Sequence, residues 1–194
     1  MNENAFSPKR LAVSRNNREG HTSHVALRSN IAPLARGMVV GSLGGLAGTM
    51  VMDLVLMGAL AAAGLPALTC FSIVGDTVAR FFSVLGIEMV GGVPLGAAAH
   101  YLIGPLVGAI FGAAVAQVAA LRVDTLKKGI VLAILYVEIL SQPILATTPI
   151  LLKMTIPATL QWYGGSFIMH LLMAVVLGSV VGYGLRLAPT VNHR

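Results

Sequence analysis

Four long apolar runs constrain this chain more than any other feature of its sequence. They cover about residues 38–63, 93–121, 129–152 and 165–187. Each run reaches the roughly 20 residues that a helix needs to cross a bilayer. Only 10% of the residues are charged, whereas soluble domains carry about 25%. The sequence therefore predicts an all-α integral membrane protein, a four-helix bundle whose transmembrane domain covers 37–187.

The placement of lysine and arginine predicts the orientation of these spans. If the N-terminus is cytoplasmic, the inner segments 1–36, 122–128 and 186–194 hold eleven Lys or Arg residues, and the outer loops hold two. Inner loops of membrane proteins carry such an excess. We therefore expect a protein of the cell (inner) membrane with both termini in the cytoplasm. A short C-terminus, 188–194, follows the last span.

The first 36 residues are polar and basic and show no apolar periodicity. We expect a flexible cytoplasmic tail over 1–36. Its cations would contact anionic lipid headgroups, at about 1 kcal/mol for each cation near the surface. Basic residues interleaved with aromatics are absent from the sequence, so we expect no nucleic-acid partner.

The segment between the first two runs differs from the spans. Its polar residues recur at spacings of three and four, which places them on one helical face, and Asp76 and Arg80 could pair as i and i+4 neighbours. This pattern predicts an extra amphipathic helix over about 69–86 in the first outer loop. The polar residues are Thr69, Ser72, Asp76, Arg80 and Ser83.

Small residues recur every four positions in three of the runs. Such spacing lets helix backbones approach closely, so it predicts packing surfaces, and we expect Leu to be tolerated less at Gly108 or Gly178 than at Gly92 in a loop. The second run has His100, Gly104, Gly108 and Gly112. The fourth has His170, Ala174, Gly178 and Gly182, and the first has the reverse order Gly37, Gly41, Gly45, Thr49 and Asp53.

Several polar residues lie within the runs, where a charged side chain costs roughly 2.5–3.5 kcal/mol. Asp53, His100 and His170 are each placed toward the predicted outer side. Glu138 and Gln142 share one face of the third run, which also carries two prolines. We expect these five residues to form an outward-facing pocket that handles a proton, a cation or a small ligand. Alternatively, each polar side chain forms only an interhelical hydrogen bond.

Two other functions remain open at this stage. The protein could be a non-catalytic accessory or assembly subunit of a larger membrane complex, or a redox subunit linked to haem through His100 and His170 or to a quinone. Thioethers flanking Asp53 and His170 would suit copper, although Met more often fills gaps in apolar cores. Neither haem nor copper is favoured.

Four spans are few for a transporter acting alone, so we expect a homo-oligomer or a membrane-complex partner. No catalytic motif is present, which favours a non-enzymatic role.

The predicted orientation can be tested with cysteine reporters. A cysteine at position 153 should react with an impermeant thiol reagent added outside the cell, because the outer loops hold few cations. A cysteine at position 124 should react only after the membrane is opened. External labelling at position 124 would contradict the four-span orientation.

Overall fold

The computed structural model describes residues 10–186, with side chains from residue 32 onward, so 1–9 and the expected C-terminal segment 188–194 lie outside the described residues. Regular structure within this part of the chain is entirely helical. Four helical stretches, Ala32–Ala62, Val93–Gln117, Leu126–Leu151 and Ile156–Arg186, are each long and apolar enough to cross a bilayer. These helices confirm the predicted all-α fold with four long apolar helices. The helices are α1 (Arg10–Ala62), α2 (Thr69–Val84), α3 (Val93–Gln117), α4 (Leu126–Leu151) and α5 (Ile156–Arg186), with a short 3-10 turn at Ala119–Leu121.

Two helices begin earlier than the sequence pattern predicts. Helix α1 begins at Arg10 and thus runs through most of 1–36, where we expected no regular structure. Arg, Leu and Ala are good helix formers, so a helix can form there without an apolar stripe. Helix α5 begins at Ile156, nine residues before the expected 165. Its Pro157 lies in the first turn, where a missing N–H leaves no helical hydrogen bond unmade.

The five helices form a ring. Helix α1 packs between α3 and α5, α5 packs between α1 and α4, and α2 lies between α3 and α4. The hydroxyl oxygens of Thr77 and Thr148 lie within hydrogen-bond distance, at 3.3 Å, and join α2 to α4. At the other end of the bundle, the Arg36 guanidinium donates to the Gly184 carbonyl of α5 at 2.6 Å. Cations are favoured at a helix C-terminus, so this contact ties α1 to the end of α5.

Glycines lie face to face where α1 meets α3. Gly41 lies against Gly108 and Gly45 against Gly104, so the two helices run antiparallel. An added Cβ at any of these glycines would collide with a backbone carbonyl or a side-chain oxygen of the other helix. The Thr49 side chain lies against Gly104 one turn further along α1. Gly37 and Gly112 complete this contact, which we call the α1–α3 seam.

Helix α5 uses a different set of glycines on each side. Gly44 and Gly48 of α1, which are also four apart, lie against Leu177 and Met173 of α5. On the opposite side of α5, Gly178 lies against Ile130. Two further close approaches on that side are Gly178 with Gly129 and Gly182 with Leu126. The sequence pattern had singled out Gly178 and Gly182 but not Gly44 or Gly48.

Helix α2 packs closely on the start of α3. Gly75 lies against Gly92, and Gly96 lies against the Phe71 backbone. We expected Asp76 to pair with Arg80, and the structure shows that this is wrong, because the only ion pairs among the described residues lie elsewhere. The Asp76 carboxylate instead accepts a hydrogen bond from the Gly92 N–H at 2.8 Å. That bond holds the loop that leads into α3.

The outer surface of the bundle is apolar. Leu102, Ile139 and Ile150 are 72%, 73% and 74% exposed. The interior between α1, α4 and α5 is formed by residues such as Ala133, Ala174 and Leu177, each 0% exposed. A surface of this kind is stable against lipid tails and unfavourable in water. The four long helices are therefore compatible with a multi-pass membrane protein.

Gly92 is a poor reference for substitutions in the seam. Its φ of 85° and ψ of −167° belong to a region that residues with a Cβ rarely adopt, so Leu would be strained there for reasons unrelated to packing. Gly58 is the better control, since it lies within α1 and a Cβ there meets nothing within 4 Å.

Gly108→Leu should destabilise the bundle strongly, because its side chain would separate α1 from α3. We expect a loss of at least about 1–3 kcal/mol, the usual result of overpacking a well-packed contact. Gly58→Leu should be neutral or slightly stabilising, because Leu has the higher helix propensity. The two variants would be purified in detergent and heated. The fraction of each that remains monodisperse would measure its thermal stability. Equal stability of the two variants would contradict the importance of the seam.

Candidate functional site

A cavity of about 550 Å³ lies inside the ring of helices, and all five helices line it. It occupies the end of the bundle that holds the α1–α2 and α4–α5 loops. Its wall is mainly apolar, with side chains such as Leu56, Val74, Ile103 and Leu140. Cavities of roughly 300–1,000 Å³ with apolar walls and a few polar groups are typical of small-ligand sites.

Asp53 and His100 form a direct pair at the end of the α1–α3 seam. Asp53 Oδ1 lies 3.0 Å from His100 Nδ1. Asp53 is 3% exposed, and its Oδ2 is buried without a hydrogen-bond partner among the described residues. The Phe71 ring also packs on His100 in a T-shaped arrangement, with 5.3 Å between ring centroids. His100 lines the cavity, so the pair places an oriented imidazole in its wall with a carboxylate behind it.

His170 lines the same cavity from α5. Its Nδ1 lies 2.7 Å from the Ser166 carbonyl oxygen, one turn earlier in the helix. A carbonyl oxygen can only accept a hydrogen bond, so Nδ1 must carry the hydrogen. The structure therefore determines the protonation of this nitrogen and leaves Nε2 as the other titrating atom of the ring.

Helix contacts place Asp53, His100 and His170 at a common level. Gly48 lies against Met173 in the antiparallel α1–α5 pair, so Met52, four residues later, lies level with Met169. Both methionines line the cavity and are the chain neighbours of Asp53 and His170. The early start of α5 at Ile156 does not change this level, because the helix contacts set it.

Glu138 and Gln142 lie outside the cavity wall. Gln142 Nε2 donates to Glu138 Oε2 at 3.0 Å, and Glu138 Oε1 is buried without a partner among the described residues. Gly178 lies against Ile130 in the antiparallel α4–α5 pair. Counting eight residues from this contact along each helix places Glu138 level with His170. Glu138 thus shares the level of the candidate site, but the cavity is lined by other residues of α4.

Trp162 is a cavity residue that the sequence reasoning missed. Its indole N–H donates to the Leu145 carbonyl oxygen at 3.2 Å. Leu145 lies four residues before Pro149, and proline has no N–H to bond that carbonyl. The prolines of α4 pointed to unpaired carbonyls, but nothing in the sequence indicates which helix supplies the donor. The contact joins α4 to α5 at the cavity wall.

Few groups in the described residues suit a metal. No cluster of three or more His, Cys, Asp or Glu side chains capable of holding a metal occurs between residues 32 and 186. Of the methionines that suggested copper, Met169 and Met173 line the cavity, whereas Met50 and Met57 do not. His100 and His170 share one cavity, and each ring has its Nδ1 engaged. Any ligation would therefore use the Nε2 atoms.

Comparisons with known proteins add no function to this geometry. No protein-family model, no curated protein and no solved structure matches the chain.

Cys70, the only cysteine, lines the cavity from α2. The reactivity of its thiol therefore depends on conditions inside the cavity. Burial, together with the Asp53 charge, raises the pKa of the Cys70 thiol to about 11. Because the thiolate is the reactive form, labelling by N-ethylmaleimide should accelerate about tenfold per pH unit from about pH 7 to about pH 10. Intact-mass spectrometry would follow the reaction.

Two variants control this measurement. Asp53→Asn removes the nearby negative charge, so Cys70 should react faster at any given pH. A cysteine at exposed position 153, in a Cys70→Ala background, should reach its maximal rate near the ordinary thiol pKa of about 8.5. A Cys70 rate that levels off at that same pH would contradict a buried thiol beside Asp53.

Proposed function

We propose that this is a multi-pass membrane protein that binds a small, mainly apolar ligand in the cavity, with the ligand's polar group received by His100 and His170. The observation that carries the proposal is the presence of both imidazoles in the wall of one largely apolar cavity of about 550 Å³. Apolar walls stabilise the body of a ligand, and a small number of polar groups orient it.

The way the two rings are held supports a binding role. His100 is oriented by Asp53 at 3.0 Å and by the Phe71 ring. His170 is oriented by the Ser166 carbonyl. Rings held on their Nδ1 side lose little freedom when a ligand bonds to Nε2, and such pre-organisation favours affinity. Asp53 acts here through His100 and is a positioning residue.

The polar environment of Asp53 fits the proton- and cation-handling part of our prediction. A buried carboxylate oxygen without a partner is costly, and a proton or a small cation at Asp53 Oδ2 would remove that cost. Asp53 does not itself line the cavity. Proton or cation exchange at Asp53 would therefore accompany ligand binding at His100, and it is the second role that we assign to the site.

The charge bias supports a direction of access. The cavity lies at the end of the bundle that holds the α1–α2 and α4–α5 loops, and the sequence places those loops outside the cell. In that orientation the ligand enters from the outer side or the outer leaflet. The basic segment 1–36 then lies at the cytoplasmic surface, and a second copy or a partner subunit would pack on the apolar outer face.

The proposal can be tested with two matched glycine variants. A Cβ meets nothing within 4 Å at either Gly165 or Gly58, but only Gly165 lines the cavity. Gly165→Phe should fill part of the cavity and weaken binding of hexylresorcinol, or of its dimethyl ether, by at least about tenfold, or 1.4 kcal/mol. Gly58→Phe should leave binding unchanged. Isotherms would be measured in lipid nanodiscs, with empty discs subtracted.

The choice of two probes keeps this test independent of the ligand's head group. Saturable binding of either probe that Gly165→Phe weakens and Gly58→Phe does not would support the cavity as a ligand site. If neither probe binds above the level of empty discs, or if both variants bind equally well, the proposed function is wrong.

A further inference from the structure

The hydrogen bonds around the cavity determine which kind of head group fits it. We infer that the ligand carries a hydrogen-bond donor, and that it is a hydroxylated aromatic compound such as an alkylated phenol or hydroquinone. This inference rests on the proposed function, because it identifies the ligand class of the same cavity. It is carried by the tautomers of two histidines and by the engaged hydrogens of their neighbours.

His170 presents an acceptor. Its Nδ1 donates to the Ser166 carbonyl at 2.7 Å, and a neutral imidazole has only one N–H. Nε2 of the neutral ring therefore carries a lone pair. Since the side chain lines the cavity, this lone pair is available to a hydrogen-bond donor on a ligand.

His100 presents a second acceptor for a related reason. Its Nδ1 lies 3.0 Å from Asp53 Oδ1, and an ionised carboxylate can only accept. Nδ1 of the neutral ring then carries the hydrogen, and Nε2 has the lone pair.

Several other polar groups in the wall have their hydrogens engaged. Thr69 donates to the Pro66 carbonyl, Thr77 to the Ile73 carbonyl and Trp162 to the Leu145 carbonyl. Ser141 likewise bonds the Glu138 carbonyl at 3.4 Å. Gln161, which keeps a free amide, is exposed. The wall therefore offers two imidazole acceptors to a ligand, beside the hydroxyls of Thr49, Thr148 and Ser166, which also line the cavity.

This balance selects among head groups. A ketone, ether, ester or oxidised quinone has only acceptors, so it would leave both imidazole lone pairs unpaired, which is costly in an apolar site. A phenolic O–H is a good donor and would pair with Nε2. The cavity volume of about 550 Å³ accommodates one aromatic ring with a short alkyl chain.

Hexylresorcinol and its dimethyl ether test this inference, because they share a ring and an alkyl chain and differ in their two O–H donors. Binding would be measured in nanodiscs on the full chain, with each affinity corrected for the probe's partition into empty discs. Hexylresorcinol should bind at least about tenfold more tightly, because the ether leaves buried acceptors unpaired.

His170→Phe keeps an aromatic ring but removes the acceptor. It should weaken hexylresorcinol binding by about fivefold or more, the usual effect of one lost hydrogen bond, while the ether binds as before. Ile168→Phe adds the same ring two residues away on α5, where Ile168 is 58% exposed. This control should keep the wild-type ratio of the two affinities.

The outcomes separate the inference from the function on which it rests. If the ether binds as tightly as hexylresorcinol, the donor inference is wrong and the cavity remains a ligand site. If neither probe binds saturably, the proposed function is wrong. If His170→Phe keeps the wild-type ratio, His170 is not the acceptor. Should His170→Phe fail to fold, the ratio for the wild-type protein still decides the inference.

Discussion

Close contact between α1 and α3 is the interaction on which the rest of the structure depends. Gly41 and Gly45 bring the backbone of α1 against Gly108 and Gly104 of α3, and apolar lipid tails provide no hydrophobic force that could hold two helices together without such contact. The four-residue spacing continues past the glycines to Thr49 and Asp53 on one helix and to His100 on the other. The same geometry that packs the backbones therefore places a carboxylate against an imidazole.

The cavity follows from the change in side-chain size along these helices. Helices that touch through glycine at one end must separate where Asp53 and His100 replace glycine, because each now needs room for a side chain. Helix α2 occupies one side of the opening and is held to α3 by the approach of Gly75 to Gly92 and to α4 by Thr77. Helices α4 and α5 complete the wall, and the Trp162 indole joins them.

Hydrogen-bond satisfaction explains why several donors of the cavity wall are already engaged. Inside a bilayer every backbone carbonyl needs a donor, and the prolines of α4 remove some of the usual ones. Side chains with a hydrogen to give, including Trp162 and Thr69, bond to nearby carbonyls. Both histidines also donate through Nδ1 to fixed oxygens. The two imidazole rings remain in the cavity wall, and they are the basis of our proposal that the ligand donates a hydrogen bond.

The sequence by itself determined the four apolar helices and the small-residue spacing, because hydropathy and periodicity are properties of each helix alone. It also indicated Asp53, His100 and His170 as residues of one level. Only the tertiary structure decided that Asp53 pairs with His100, that Glu138 and Gln142 lie outside the cavity wall, and that Trp162 bonds the Leu145 carbonyl. Spacing along a helix shows which residues share a face but not which neighbour that face meets. The partner of each face is set by how all five helices pack around the ring.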